Sequence, residues 1–208
     1  MSQTVLVTGA TGLAGANICK LLVERGDTVR ALARQSADTG PLGDLGVEVV
    51  TGDVTDPDAV LRAATGSDAA IHCAALLGGA SQDMADFEAV NIGGTKNVLD
   101  AAEKVDLRRV VAVSTGTFFD TTTGLDREDA PVTKNPSQDP YTVTKMAAFL
   151  DAMARAAESS TRLKLVMPSA LLATGEGPKI APGWVLTTSR PLAARAIASR
   201  MAAIFVTV

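Results

Sequence analysis

Short apolar runs alternate along the chain with longer segments whose apolar positions recur every three or four residues. The short runs are rich in Val, Ile, Leu and Ala, which is typical of strands buried on both faces. They lie at residues 5–8, 28–33, 47–51, 69–74, 110–114 and 163–167. The longer segments predict helices at residues 13–25, 58–64, 83–104 and 141–158. This alternation predicts an α/β fold, a doubly wound parallel sheet with helices on both faces.

Two polar, irregular stretches interrupt this pattern. Residues 117–140 are rich in Asp, Thr and Pro and predict a loop over a site, whereas residues 174–183 carry Gly, Pro and Lys. We therefore expect a first domain at residues 1–170 and the start of a second, truncated lobe at residues 171–208. The closing apolar run at residues 203–208 predicts one more strand.

The first predicted strand runs directly into a GxxGxxG pattern made by Gly9, Gly12 and Gly15. Gly9 is expected to permit a sharp turn, and Gly12 to let a pyrophosphate approach the backbone. Gly15 is expected to let the next helix pack closely on the strand. The free N–H groups of that helix, flanked by Thr11 and Leu13, predict a dinucleotide site. An ordinary tight turn between strand and helix is the alternative.

The ends of the second and third strands bear on which dinucleotide binds. An acidic residue roughly 20 positions after the glycines would bind the ribose of NAD, but Arg34 follows the second strand. A guanidinium suits a 2′-phosphate, so we expect NADP to be preferred over NAD. Asp53, with Val54 beside it, is expected near the adenine. The alternatives are a solvated surface arginine and a turn or cap aspartate, and Asp56 before Pro57 is a predicted helix cap.

Tyr141 and Lys145 are four residues apart and therefore neighbours on one helix face. A nearby ammonium would favour the phenolate, which could then exchange a proton with a substrate oxygen. Ser114 and Thr115 end the fifth strand, at the sheet edge where ligands bind in this architecture. The alternatives are that Tyr141 and Lys145 are an exposed pair at the start of a helix, and that Ser114 and Thr115 cap the end of the strand. Asn91 precedes two glycines inside a predicted helix, and these glycines suggest close approach of another backbone. Asn91 itself could tie that helix to the sheet or serve packing alone.

Composition narrows the classes of function. The net charge of −4 provides no basic field for nucleic acid or an anionic membrane. We expect neither a signal peptide nor a membrane-spanning segment, because the first residues lack a basic and apolar leader pattern and no uncharged apolar run is long enough. Cys19 and Cys73 lack the spacing of a metal or redox motif, and the single His72 does not make a metal site. We expect a cytoplasmic protein with reduced thiols and no metal.

Together these residues resemble the short-chain dehydrogenase/reductase superfamily, and within it the extended NAD-dependent epimerase/dehydratase branch. The matching segments cover essentially the whole chain and lie at residues 9–15, 52–53, 72–75, 91–97, 114–115, 141–145 and 168–169. The resemblance implies a Rossmann-type sheet with strand order 3-2-1-4-5-6. It also implies that Tyr141 is the acid/base residue, that Lys145 is its partner, and that Thr115, with Ser114 as fallback, is the catalytic hydroxyl.

The resemblance further implies cofactor contacts from Ala74, Ala75, Asn91, Pro168 and Ser169. Members of the family often form homodimers, here through the predicted helices at residues 83–104 and 141–158. They also usually exceed 300 residues, so we expect the substrate lobe of this chain to be incomplete.

Three functions are compatible with these features. The leading hypothesis is an oxidoreductase that transfers hydride between NADP(H) and a small carbonyl or alcohol substrate. The second is a sugar-nucleotide epimerase or dehydratase with tightly bound NAD, and the third is a non-catalytic NADP sensor or an inactive fragment. Arg34 and the sequence Phe118-Phe119-Asp120 favour the first, since sugar-nucleotide epimerases more often have an Asp and a Tyr-Gly pair there.

Overall fold

The computed structural model describes residues 2–77, 83–119, 132–133, 137–156, 161–167, 170–173 and 184–187. Six strands form one parallel sheet in the order β3-β2-β1-β4-β5-β6. They are β1 Thr4–Thr8, β2 Thr28–Ala33, β3 Glu48–Thr51, β4 Ala69–His72, β5 Arg109–Val113 and β6 Arg162–Val166. The predicted fold class and strand order are therefore confirmed. The order reverses between β1 and β4, which is where ligands bind in doubly wound sheets.

The helices follow the predicted alternation, with one addition. They are α1 Leu13–Glu24, α2 Gly40–Asp44, α3 Pro57–Ala64, α4 Met84–Phe87, the π-helical segment Glu88–Gly93, α5 Gly94–Lys104 and α6 Pro140–Ala156. The short α2 was not predicted, because its sequence Gly-Pro-Leu-Gly-Asp reads as a turn. The predicted Asp56 cap is confirmed, since its side chain accepts a hydrogen bond from the Asp58 N–H at 2.9 Å.

Helices cover both faces of the sheet because alternate strand residues point to opposite sides. Val5 and Val7 of β1 pack in one cluster with Ile18 and Leu22 of α1. Leu6, between the two valines, packs on the other side in a cluster that draws residues from α3, α5 and α6, namely Val60, Val98, Leu99 and Ala152. These two cores hold the carboxyl ends of the strands at one edge.

The predicted helix at residues 83–104 is helical throughout, but it changes hydrogen-bonding pattern at the π-helical segment. Its two glycines were expected to allow close approach of another backbone. That expectation is wrong, because a Cβ on Gly94 would instead lie 2.9 Å from Cγ1 of the Val54 side chain. The glycine therefore makes room for a residue that follows β3.

Two further strands, β7 Ala170–Ala173 and β8 Trp184–Thr187, pair antiparallel in a separate sheet. The sequence did not predict this pair. Most of the predicted loop at residues 117–140, the segment 174–183 and the predicted strand at residues 203–208 lie outside the described residues. The division at residue 170 stays a prediction. Among the helices that the structure describes, none has the length and apolar character needed to cross a bilayer.

Candidate functional site

A cleft of about 670 Å³ opens at the carboxyl edge of the sheet. Most of the predicted site residues line it, and they come from the ends of β1, β2, β3, β4 and β5 and from the start of α6. They are Gly9, Thr11, Gly12, Leu13, Gly15, Arg34, Asp53, Val54, Ala74, Ala75, Ser114, Thr115, Tyr141 and Lys145. Asn91 is not among the lining residues, and Pro168 and Ser169 lie outside the described residues. The cleft thus brings together the two motifs that the sequence places far apart.

The glycine loop is shaped by close backbone packing. Gly9 has φ +68°, and a Cβ there would lie 2.6 Å from the backbone nitrogen of Ala74. A Cβ on Gly15 would overlap the Gly9 carbonyl oxygen and lie 2.7 Å from Cα of Ala10. Gly12 differs, since a Cβ there would meet only the Gly9 oxygen, at 3.3 Å. Gly9 and Gly15 therefore define the loop, whereas Gly12 keeps its surface clear.

The amino end of α1 is suited to an anion. Its N-cap residue, Gly12, provides no side-chain cap, and the first turn contains no acidic residue. The first N–H groups of a helix have no intrahelical partner and carry the positive end of its dipole. Because this end borders the cleft, the residues present fit the pyrophosphate of a dinucleotide.

Arg34 and Asp53 lie along the same cleft beyond the glycine loop. Arg34 is exposed and, within the described part of the chain, has no carboxylate partner. Asp53 uses Oδ1 to accept hydrogen bonds from the N–H and the hydroxyl of Thr55, both at 2.9 Å. The predicted turn role of Asp53 is thus present in the structure, and a contact with adenine stays a prediction.

Lys145 is the buried cation of the cleft, with 4% of its surface exposed. Its Nζ donates to the carbonyl oxygen of Val113, at the end of β5, at 2.8 Å. Burial lowers the pKa of the ammonium from 10.5 to about 8, while the nearby Cys73 thiol acts in the opposite direction. The side chain is therefore charged at neutral pH, although burial makes the charged form less favourable than it is in water.

The pKa of Tyr141 is raised, chiefly by burial. A hydrogen bond with the Thr115 side chain opposes this effect, and the negative charge of Asp139 adds to it. Burial outweighs the effects that favour the phenolate, and the Lys145 ammonium hydrogen-bonds the Val113 carbonyl. That Lys145 favours the phenolate stays a prediction. The phenol is accordingly protonated at neutral pH and is able to donate.

Hydroxyl groups connect the end of β5 to the start of α6. Thr117 donates its N–H to Oγ1 of Thr115 at 3.4 Å, and its own hydroxyl lies 3.3 Å from the hydroxyl of Thr142. The start of α6 is fixed by Asp139, which accepts from the Thr142 N–H at 2.9 Å. Ser114 Oγ is buried without a hydrogen-bond partner among the described residues. Both predicted hydroxyls therefore lie at the cleft, and Thr115 is the one beside Tyr141.

Asn91 is buried behind the cleft, where it joins three elements. Its side chain donates to the Leu76 carbonyl at 3.1 Å and accepts from the Leu76 N–H at 2.8 Å. It also donates to the hydroxyl of Thr144 in α6 at 3.0 Å. Asn91 thus ties the π-helical segment to the loop after β4 and to α6 by hydrogen bonds, so its role is more than packing alone.

Sequence reasoning missed several residues that line the cleft. They are Thr8, Ala14, Leu32, Ala33, Gly52, Cys73, Leu76, Leu77, Val90, Val113 and Thr117. Thr8 and Ala33 could have been found as the last residues of predicted strands, and Val113 as the residue before the predicted strand end at Ser114. Leu76, Leu77 and Val90 carry no local signal, because their place depends on how the loop after β4 packs against the π-helical segment.

Comparison with known proteins gives consistent matches. The sequence model described as the NAD dependent epimerase/dehydratase family matches residues 5–195. The chain is 34% identical over 181 residues to a 3 beta-hydroxysteroid dehydrogenase/Delta 5→4-isomerase of Mycobacterium tuberculosis, covering 83% of this chain and 48% of that protein. It is 36% identical over 149 residues to a 2-alkyl-3-oxoalkanoate reductase of Stenotrophomonas maltophilia, covering 69% and 44%.

A solved structure is also similar. It is a short-chain dehydrogenase/reductase superfamily protein from Agrobacterium tumefaciens with bound NAD, with a TM-score of 0.65 and 29% identity, covering 79% of this chain and 48% of that one. The chain spans about half the length of the relatives that it matches.

Proposed function

The chain belongs to the NAD dependent epimerase/dehydratase family, and on that premise we propose that it is the cofactor-binding part of an NADP(H)-preferring oxidoreductase. The reaction is hydride transfer between the cofactor and a carbonyl or alcohol substrate. The observation that carries this proposal is the single cleft that combines an uncapped helix start, Arg34, and the side chains of Tyr141, Lys145 and Thr115. The two relatives above, a dehydrogenase and a reductase by name, support it.

Each part of the cofactor has a proposed partner in the cleft. The first turn of α1 would hold the pyrophosphate, and Arg34 the 2′-phosphate of NADP. Asp53 and Val54 would face the adenine. Lys145 would hold the nicotinamide ribose, with Tyr141, Ala74 and Ala75 beside it. The predicted contacts of Pro168 and Ser169 stay part of this proposal.

The proposed chemistry divides hydride and proton between different partners. When bound, the nicotinamide supplies the hydride that forms the new C–H bond at the carbonyl carbon. Tyr141 donates its phenolic proton to the carbonyl oxygen, and Thr115 donates a hydrogen bond to the same oxygen. The raised pKa of Tyr141 keeps that proton in place before reaction. The Lys145 ammonium then stabilises the phenolate that is left, and oxidation of the alcohol reverses these steps.

The alternative functions differ in how the cofactor is held. A sugar-nucleotide epimerase or dehydratase predicts NAD that stays with the protein through purification, whereas the proposed reductase predicts a cofactor that exchanges freely. A non-catalytic sensor predicts binding without turnover. Mass spectrometry of the small molecules released when the purified protein is denatured separates the first of these from the others.

Calorimetric titration of the purified protein with NADPH and with NADH tests the proposal directly. We expect both to bind, with NADPH the tighter ligand, and we then expect turnover with a member of a carbonyl panel. Equal or stronger binding of NADH would contradict the NADP preference. Failure of both cofactors to bind would contradict the proposed function as a whole.

We also propose that the protein forms a homodimer in the cytoplasm, through the helical segment at residues 83–104 and the predicted helix at residues 141–158, most of which is α6. Leu150 and Met153 of α6 are 49% and 50% exposed, which leaves apolar surface available on that helix. Two free cysteines are compatible with a reducing compartment. Sedimentation of a monomer at high concentration would contradict the dimer, and recovery of the native protein from another compartment would contradict the location.

A further inference from the structure

His72 is the one histidine of the chain, and the proposed proton transfer does not use it. It ends β4 and is 1% exposed. Both ring nitrogens have hydroxyl partners: Nδ1 lies 2.7 Å from Oγ1 of Thr8 and Nε2 lies 3.1 Å from Oγ1 of Thr95. The imidazole therefore bridges the last residue of β1 and the helix α5.

The hydrogen bonds around the ring assign its protons. Thr95 donates its only hydroxyl proton to the Asn91 carbonyl at 2.7 Å, so toward His72 it can only accept. Nε2 must then carry a proton. Burial, with the nearby charge of Lys145, lowers the pKa of His72 to about 3, which keeps the ring neutral. Nδ1 is consequently bare and accepts from the Thr8 hydroxyl.

The network continues in both directions. On the Nδ1 side of His72, Oγ1 of Thr8 also accepts a hydrogen bond from the Ala74 N–H at 3.4 Å. On the Nε2 side, Thr95 leads to Asn91, whose side chain donates to Oγ1 of Thr144. The Thr144 hydroxyl in turn donates to the Pro140 carbonyl at 2.6 Å. Every side chain in this series is buried, with exposures from 0 to 6%.

The two ends of the network lie beside the two parts of the candidate site. Thr8 directly precedes Gly9 of the glycine loop, and Thr144 directly precedes Lys145 on the helix that also carries Tyr141. Buried hydrogen bonds are directional and costly to leave unmade, so a shift at one end changes the geometry at the other.

We propose that His72 is a positioning residue, which keeps the helix carrying Tyr141 and Lys145 in register with the glycine loop. This inference rests on the proposed function. A neutral imidazole is suited to the task because it is rigid and presents an acceptor on one side and a donor on the other. Occupation of the glycine loop is therefore transmitted to Tyr141 through the protein.

The assigned tautomer is tested first in the unmodified protein. Because the chain has one histidine, imidazole ¹⁵N shifts report on His72 alone. We expect a neutral ring with the proton on Nε2 at every pH between about 5 and 8. A proton on Nδ1, or a titration within that range, would overturn the inference.

The positioning role is tested with a fragment of the cofactor. The chain also has one tyrosine, so a ring-labelled tyrosine reports on Tyr141 alone. The ligands are 2′-phospho-ADP and ADP, which lack the second ribose and the nicotinamide that we propose contact Tyr141. At saturation we expect the Tyr141 signal to shift in the unmodified protein and to stay unchanged in His72→Leu.

Two sets of variants separate positioning from stability. Val110→Ala truncates a buried residue of β5 outside the network, so it destabilises the protein but keeps the Tyr141 shift. His72→Asn retains an acceptor toward Thr8 and His72→Gln a donor toward Thr95, so each should keep part of the shift even if His72→Leu does not fold. A shift of equal size in all His72 variants would overturn the inference.

The outcomes also separate this inference from the proposed function. Failure of both fragments to bind the unmodified protein would contradict the cofactor site, and the inference with it. Binding without any response of the Tyr141 signal would overturn the role of His72 and leave the proposed function standing.

Discussion

The two ends of the cleft are built by different means. At the glycine loop, the main chain itself forms the site, and Gly9 and Gly15 leave no room for a side chain. At the other end, the site consists of side chains from β5 and α6, where Lys145 reaches a carbonyl 32 positions earlier in the sequence. The first end depends on local backbone shape, and the second on how a distant helix docks.

This difference implies that binding and chemistry are separable. A substitution at Gly9 or Gly15 changes the fold and the cofactor site together, because both depend on the same tightly packed backbone. A substitution at the Tyr141 end removes a proton donor or a charge from a scaffold that is already complete. Each prediction below tests that separation.

The largest expected effect is the loss of turnover in Tyr141→Phe. A positioned acid or base contributes about 10²- to 10⁴-fold to rate, and the phenol is the group that we propose donates the proton. We expect kcat to fall by that factor, while thermal stability and NADPH affinity stay close to those of the unmodified protein. Steady-state kinetics and calorimetry measure both. Unchanged turnover would refute the catalytic assignment, and a parallel loss of binding would break the separation of the two ends.

The next effect is a difference between two glycines of the same loop. Gly15→Ala forces a methyl group against the Gly9 carbonyl and Ala10, so we expect a loss of about 3 kcal/mol or more in the free energy of unfolding. Gly12→Ala meets only one atom, at 3.3 Å, so its cost should stay below about 1 kcal/mol. Its methyl group borders the cleft and should weaken NADPH binding instead.

Urea denaturation and calorimetry of the two alanine variants provide a matched pair, since both make the same chemical change. Equal losses of stability would mean that backbone packing does not distinguish the two positions. Unchanged NADPH affinity in Gly12→Ala would place the pyrophosphate elsewhere.

The fold and the glycine loop could be predicted because their signals are local. Apolar runs and helical periodicity located the six strands, and all but one of the helices, to within about two residues, the usual uncertainty of element ends. The glycine pattern, directly after a strand, predicted the turn at Gly9 and the close packing at Gly15. Asp56 before Pro57 likewise predicted a helix cap, because capping depends on neighbouring residues in the sequence.

The environment of the Tyr141 end could not be predicted because it arises from tertiary contacts. Spacing placed Tyr141 and Lys145 on one helix face, but not the hydrogen bond from Lys145 to Val113, nor the burial that raises the pKa of the phenol. The role of Asn91 in the π-helical segment could not be predicted either, because it depends on hydrogen bonds with the distant residues Leu76 and Thr144. His72, dismissed as a metal ligand, gave no sign of its two hydroxyl partners.

Lys145 provides a test of the buried charge through pH. Its pKa is 10.5 without perturbation and about 8 in the folded protein. Between these values the unfolded chain binds the proton and the folded protein does not, so the free energy of unfolding rises as pH increases through this window. The rise should be at most about 3 kcal/mol, and Lys145→Met should abolish it.

Urea denaturation at a series of pH values from neutral to alkaline measures this dependence. Lys164→Met, which removes an exposed lysine of β6, is the matched control and should keep the rise. A pH dependence that is the same in both variants would show that Lys145 is not the buried cation described above.

The smallest expected effect concerns the exposed part of the cleft, where cofactor choice is separable from both fold and chemistry. Arg34 is exposed and contributes no ion pair within the described residues, so Arg34→Gln should leave stability unchanged. We expect the Kd for NADPH to rise roughly tenfold, about 1.4 kcal/mol, while the Kd for NADH stays the same. Added salt should reduce this difference, because the contact is exposed to screening.

Arg62→Gln removes an equivalent charge from α3, outside the cleft lining, and should affect neither cofactor. An equal change in both Kd values would mean that Arg34 contacts a group common to NADP and NAD, and cofactor choice would then have to lie deeper in the cleft.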